Sequence, residues 1–188
     1  ISSKELKEKI SLLRSNKTVE SNTLPALFKD ENEYNEFKER HAKNVVPKKD
    51  LANHKGNAYL GIDAGSTTSK LVLIDDKQNL LYSIYKSNEG SPLDTILEMI
   101  KELYQKLPSD VHIRAGASTG YGESLIKTAL NLDTSEIETI AHQTAAKQFM
   151  PNVDSIIDIG GQDMKYIRMK DNVIDSIMLN EACSSGCG

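Results

Sequence analysis

The chain has no tryptophan, 3 phenylalanines and 7 tyrosines, so aromatic residues make up only 5% of its 188 positions. Its core must therefore be built from aliphatic side chains. Cysteine is equally scarce. The only two, Cys183 and Cys187, both fall in the last six residues. That excludes a secreted disulfide framework and points instead to a metal or redox role in a reducing, cytoplasmic compartment. No apolar run approaches the ~18 residues of a membrane span. The N-terminal ISSKELKEKI lacks the apolar segment of a signal peptide. There is also no strong charge of one sign. The formal net charge is −4, with 12 Lys/Arg against 9 Asp/Glu in residues 1–56 and 11 against 18 in the remainder. A balance this mixed gives no argument for nucleic acid. An initiator Met is missing too, which predicts a chain cut from something longer.

What is present is organised around Tyr59–Ile74. Apolar Tyr59 to Ile62 and apolar Leu71 to Ile74 flank Asp63, Gly65 and the small hydroxyl residues Ser66, Thr67, Thr68 and Ser69. The pattern predicts strand, turn, strand. Two readings of the turn are open. It is a plain hairpin with a polar tip, or a loop whose free N–H and hydroxyl groups grip an anion, with Asp63 placed to hold a cation.

Upstream, residues 1–56 are polar and Lys/Glu-rich, and read as a helical connector with helices near 2–15 and 31–43. Downstream, strands are expected at 58–63, 70–75 and 79–86. Ser91, Pro92 and Asp94 then open an amphipathic helix over 92–107. A strand at 111–117, a glycine-bearing turn at 118–123, a short helix near 123–131 and an alanine-rich helix over 141–150 follow. Further strands are expected at 155–160, 164–169 and 173–179.

A shift of 95 residues lays Asp63 on Asp158, Gly65 on Gly160 and Lys70 on Lys165. Each copy runs apolar strand, Asp-x-Gly, polar turn and second strand. The repeat predicts two lobes facing each other across a cleft, 57–150 and 151–188, each with a phosphate-gripping turn. The pattern is neither a Walker loop, because Gly65 to Lys70 lacks its second glycine and trailing Ser/Thr, nor a Rossmann fingerprint, because the turn opens a strand and not a helix.

Gly61-Ile-Asp-Ala-Gly-Ser-Thr-Thr-Ser-Lys70 and Asp158-Ile-Gly-Gly-Gln-Asp163 resemble the two phosphate loops of the acetate/sugar kinase, chaperone and actin superfamily. Together with Ser118-Thr-Gly-Tyr-Gly122, Glu138-Thr-Ile-Ala-His142 and Asn180-Glu-Ala-Cys183, they are similar in order to the activator (activase) ATPases of 2-hydroxyacyl-CoA dehydratases, the BadF/BadG/BcrA/BcrD ATPase family. The resemblance implies an α/β, actin-like ATPase fold with ribonuclease-H-like lobes, the first complete and the second begun. Residues 1–56 look like the connector before a second unit in a long, multi-unit variant.

The family's activity would be ATP hydrolysis by a homo-oligomer that drives an electron through a four-iron four-sulfur cluster into a 2-hydroxyacyl-CoA dehydratase or related CoA-ester reductase. By the same resemblance, Asp63 and Asp158 would hold magnesium through water. Gly65, Ser66, Thr67, Thr68, Ser69, Gly160, Gly161 and Gln162 would cradle the phosphates of ATP, and Gln162 or Glu138 would orient the attacking water. Cys183 would occupy the first cluster-ligand position, whereas Cys187 reads as a small buried side chain. His142 reads as a helix-packing residue, and Lys70 as a strand residue with a solvated tip. With lobe two only begun, this chain alone is expected to be inactive. Two other functions fit the residues, a sugar or amino-sugar kinase of the same superfamily and a non-catalytic interaction unit.

Overall fold

The computed structural model describes residues 2–15, 24–43, 45–160 and 163–180. Of the expected site residues, Gly161, Gln162 and Cys183 lie outside this set, as does Cys187. The chain divides into two units, Ile1–Asn44 and Val45–Gly188. The division precedes the compositional break at residue 56.

The first unit carries helices α1 (Ser3–Ser15) and α2 (Glu31–Ala42). Asp30 caps α2 by accepting from the Glu33 amide at 2.9 Å, and Glu33 reaches back to the Lys29 amide at 2.6 Å. This reciprocal arrangement satisfies donors that the first helical turn leaves free. Phe28 stacks on Tyr34 and Phe37, with centroids 5.2 Å apart in each pair.

In the second unit β1 (Gly56–Ala64), β2 (Thr68–Asp75), β3 (Leu80–Ser87), β4 (Val111–Thr119) and β5 (Thr134–Ser135) form one sheet in the order β3-β2-β1-β4-β5. β1 is antiparallel to β2 and parallel to β4. Helix α3 (Pro92–Lys106) crosses between β3 and β4, and α4 (Glu123–Leu130) follows β4. Alternation places Ala58, Leu60, Ile62 and Ala64 of β1 on one buried face. Ile96, Met99 and Leu103, at helical spacing on α3, join them together with Leu71 and Leu73, all five fully enclosed. Ser91 is the N-cap of α3 as expected, but its hydroxyl donates to Asp94 at 2.6 Å and caps no amide.

Helix α5 (Glu138–Phe149) begins three residues earlier than Ala141 and leads to a second sheet of β6 (Ser155–Ile159), β7 (Met164–Lys170) and β8 (Val173–Asn180). This sheet is antiparallel in the order β6-β7-β8. One of its faces is open. Ile157, Tyr166 and Met178, neighbours across the three strands, are 71%, 38% and 68% exposed.

The β2–β3 turn is held by Asp75. Its enclosed carboxylate accepts from Lys49 Nζ at 2.7 Å, the Lys77 amide at 2.9 Å, and both the amide and the side chain of Asn79. Burial pushes this carboxyl up, but the bonds from Lys49, Asn79 and the Lys77 amide outweigh it and hold it well below the usual carboxylate range. A carboxyl depressed in the fold stabilises above its unfolded value of about 3.9, and the contribution is lost as pH falls below that. Asp75→Ala strands two backbone donors and should cost about 2–3 kcal/mol in urea unfolding at neutral pH. Between pH 4 and 2 the variant should lose less stability than the wild type.

Candidate functional site

The strands that flank the two turns of the repeat pair in matching register. Ala64 pairs with Ser69 across the four-residue turn Gly65–Thr68, and Ile159 pairs with Met164 across Gly160–Asp163. One step below, Asp63 faces Lys70 and Asp158 faces Lys165. The turns are tight for the same reason. A Cβ on Gly65 would lie 2.7 Å from the Thr68 carbonyl, and one on Gly160 would lie 3.3 Å from the Asp163 carbonyl.

The pairs then diverge in their contacts. Lys70 Nζ donates to Asp63 Oδ2 at 2.8 Å. Lys70 lies on β2 with its side chain half-exposed, and its ammonium is in addition held against Asp63. Burial pulls this amine down, yet the hydrogen bond and charge of Asp63 leave it raised and protonated. In the second half Lys165 Nζ sits among three carboxylates, 2.9 Å from Glu138, 3.1 Å from Asp163 and 3.8 Å from Asp158. Burial again works against its charge, and the bonds to Glu138 and Asp163 again win. Asp158 meets His142 Nδ1 at 2.9 Å, so His142 is not a plain packing residue.

Both turns open on one cleft of about 820 Å³. It is lined by Gly65, Ser66, Thr67 and Thr68 of the first turn, by Gly160 and Asp163 of the second, and by Asp63, Lys70 and Glu138. Glu138 occupies the first position of α5, where the helix dipole favours a negative charge. Two expected residues do not line the cleft. Asp158 lies behind it on His142. Ser69 is fully buried and donates to Asn88 Oδ1 at 2.7 Å, so its hydroxyl does not reach the cleft and is unavailable to a phosphate.

Among the described residues two buried side-chain polar atoms have no partner, Asp63 Oδ1 and Thr119 Oγ1. Asp63 and Thr119 are register neighbours on β1 and β4. A buried carboxylate oxygen left unpaired costs about 1–3 kcal/mol or more, and a bound cation or its water would satisfy it. Gly120 approaches so closely that a Cβ there would lie 2.5 Å from Asp63 Oδ1. The orphaned oxygen, on an aspartate that lines the cleft, fits a magnesium ion accompanying a nucleotide. Glu138, His142 and Asp158 also bring ligand atoms within 4.8 Å of one another. Lys165 Nζ stands 2.9 Å from Glu138 and 3.8 Å from Asp158 in that group.

A sequence model of the BadF/BadG/BcrA/BcrD ATPase family matches residues 60–188. The chain belongs to this family. The chain is 39% identical over 131 residues to an uncharacterised protein of Methanocaldococcus jannaschii, covering 69% of this chain and 51% of that one. It is 32% identical over 132 residues to the (R)-2-hydroxyglutaryl-CoA dehydratase activating ATPase of Acidaminococcus fermentans, covering 69% and 49%. Among solved structures, the activator of the 2-hydroxyisocaproyl-CoA dehydratase from Clostridium difficile with bound ADPNP superimposes with a TM-score of 0.58 at 27% identity, covering 68% of this chain and 47% of that one. The fold of this BadF/BadG/BcrA/BcrD family member is the expected α/β, actin-like ATPase fold. The chain spans about half the length of the curated relatives it matches.

The sequence reading did not single out Thr119, Asn88 or the role of Lys165. Lys165 was visible as the repeat partner of Lys70. Thr119 lies within the segment Ser118–Gly122 but draws notice only through the register of β1 with β4, and Asn88 carries no motif and is brought in by the return of β3.

Proposed function

We propose that this chain is the ATP-binding and ATP-hydrolysing module of an activator for a 2-hydroxyacyl-CoA dehydratase or a related CoA-ester reductase. The observation that carries this reading is the pair of register-matched turns opening on one cleft beside the orphaned Asp63 oxygen.

In this reading Asp63 holds the nucleotide's magnesium through water, and that ion neutralises charge on the phosphates. The amides of Gly65–Thr68 and the hydroxyls of Ser66, Thr67 and Thr68 bind the phosphates from the first lobe. Gly160, Gly161 and Gln162 bind them from the second. Asp158, with His142 behind it, supports the second turn. Lys165 holds the Glu138 carboxylate at 2.9 Å, so that Glu138, together with Gln162, can orient a water for attack. Phosphoryl transfer depends mainly on such positioning and charge neutralisation.

The relatives' work as dehydratase activators supports a CoA-ester-processing partner. We place Cys183 as a thiolate ligand of a four-iron four-sulfur cluster shared in a cytoplasmic homo-oligomer that passes a low-potential electron to that partner. Among the described residues no helix is long and apolar enough to cross a membrane.

The test is magnesium-dependent ATP hydrolysis by the full-length gene product and by Asp158→Ala, with anaerobic iron analysis of the wild type and Cys183→Ala. Hydrolysis reduced at least tenfold in Asp158→Ala, and iron lost in Cys183→Ala, are expected. No hydrolysis in the wild type would overturn the ATPase reading. Hydrolysis without iron would overturn the electron-transfer reading alone.

A further inference from the structure

Asn88 stands just beyond β3, far from any motif, and is only 2% exposed. Its side chain uses both ends of the amide. Nδ2 donates to the Gly65 carbonyl at 2.7 Å, and Oδ1 accepts from Ser69 Oγ at 2.7 Å. Its backbone amide donates to the Thr67 carbonyl at 2.9 Å. One residue therefore grips the turn Gly65–Thr68 at its first residue, inside it and just past its end.

Asn88 is itself anchored. Its carbonyl accepts from the Ser91 amide at 2.7 Å and from Thr95 Oγ1 at 3.3 Å, at the start of α3. The turn is thus tied through one side chain to a helix whose inner face is buried in the core.

We infer that Asn88 is the positioning residue that sets the first phosphate loop. The inference rests on the reading of Gly65–Thr68 as that loop. In a trans peptide the carbonyl and the following N–H point to opposite sides of the plane. No peptide bond among the described residues is cis. Drawing the Gly65 carbonyl onto Asn88 therefore turns the Ser66 N–H the other way, and Ser66 is exposed and lines the cleft. Occupying that carbonyl also keeps an acceptor, which would repel an anion, away from the phosphates. With Asn88 itself enclosed, its bond with Ser69 buried and its bond to Gly65 part-buried, these bonds hold the turn in shape before a ligand arrives, and a preorganised loop has less freedom to lose on binding. Asn88 touches no phosphate in this scheme.

The experiment is calorimetric titration of Mg-ADPNP into the full-length gene product and into Asn88→Ala, Asn88→Asp and Thr95→Ala, each checked for native circular dichroism and melting temperature. Asn88→Asp keeps the shape and the acceptor for Ser69 but sets a carboxylate oxygen against the Gly65 carbonyl. Thr95→Ala loses an anchoring bond to the Asn88 backbone and leaves the side-chain clamp in place. Asn88→Ala and Asn88→Asp should each weaken binding at least tenfold in the folded protein, while Thr95→Ala should stay within twofold even though it melts lower. If Asn88→Ala does not fold, Asn88→Asp decides alone. A folded Asn88 variant that binds within twofold of the wild type would overturn the inference and leave the nucleotide site standing. A wild type that binds no Mg-ADPNP would overturn the phosphate-loop reading itself.

Discussion

Gly120→Ala should cost the fold about 3 kcal/mol or more and abolish measurable Mg-ADPNP binding. Two separate penalties add. Gly120 has φ +87°, where an L residue is strained by about 1–3 kcal/mol. The new methyl would also lie 2.5 Å from Asp63 Oδ1 and 2.8 Å from the Ala64 carbonyl. Neither neighbour yields easily. Asp63 is held by Lys70, and the Ala64 carbonyl already accepts from the Gly122 amide at 2.9 Å. The strand end that carries Asp63 must move, and the orphaned oxygen moves with it. Gly90→Ala is the control. Its φ is +89°, but nothing lies within 4 Å of a Cβ there. It should lose only the conformational part, about 1 kcal/mol, and keep nucleotide binding. Urea unfolding of both variants separates the clash from the strain.

Asp63→Asn should lower ATP hydrolysis by the full-length gene product about 100-fold, a loss typical of removing one stabiliser of charge at a phosphoryl-transfer site. Its effect on stability should be far smaller. The wild-type carboxylate buries an oxygen with no partner, which penalises the fold. The Lys70 side chain is 48% exposed, so the ammonium it would release can take up water. Replacing the charge by an amide therefore removes a desolvation cost while weakening one half-exposed ion pair worth about 0–1 kcal/mol. The melting temperature should shift by only a few degrees, in either direction. A site residue that costs the fold little to lose, and function much, is under functional rather than structural constraint.

Much of this arrangement was legible in the sequence because it is periodic. Alternation in Ala58–Ala64 and helical spacing in Ile96–Leu103 are properties of the string alone. So is the 95-residue echo, and the matched registers of Asp63 with Lys70 and Asp158 with Lys165 turn that echo into geometry. Other parts depend on which distant segments meet. Thr134–Ser135 is too short to show a period and becomes a strand only by lying beside β4. Ser69 read as one more hydroxyl in a phosphate-gripping run, yet strand alternation from Lys70 turns it inward to Asn88. The Asp63 partner of Lys70 went unread because it lies seven residues away on another strand. Asn88 had no signal, since a single buried amide becomes meaningful only once the carbonyls it reaches are known.

The most direct test of the account is a calorimetric titration of ADPNP into the full-length gene product with and without magnesium, repeated on Asp63→Asn. The account predicts binding that requires magnesium and that weakens at least tenfold in the variant. Binding that is indifferent to both magnesium and Asp63, or no binding by the folded wild type, would contradict it.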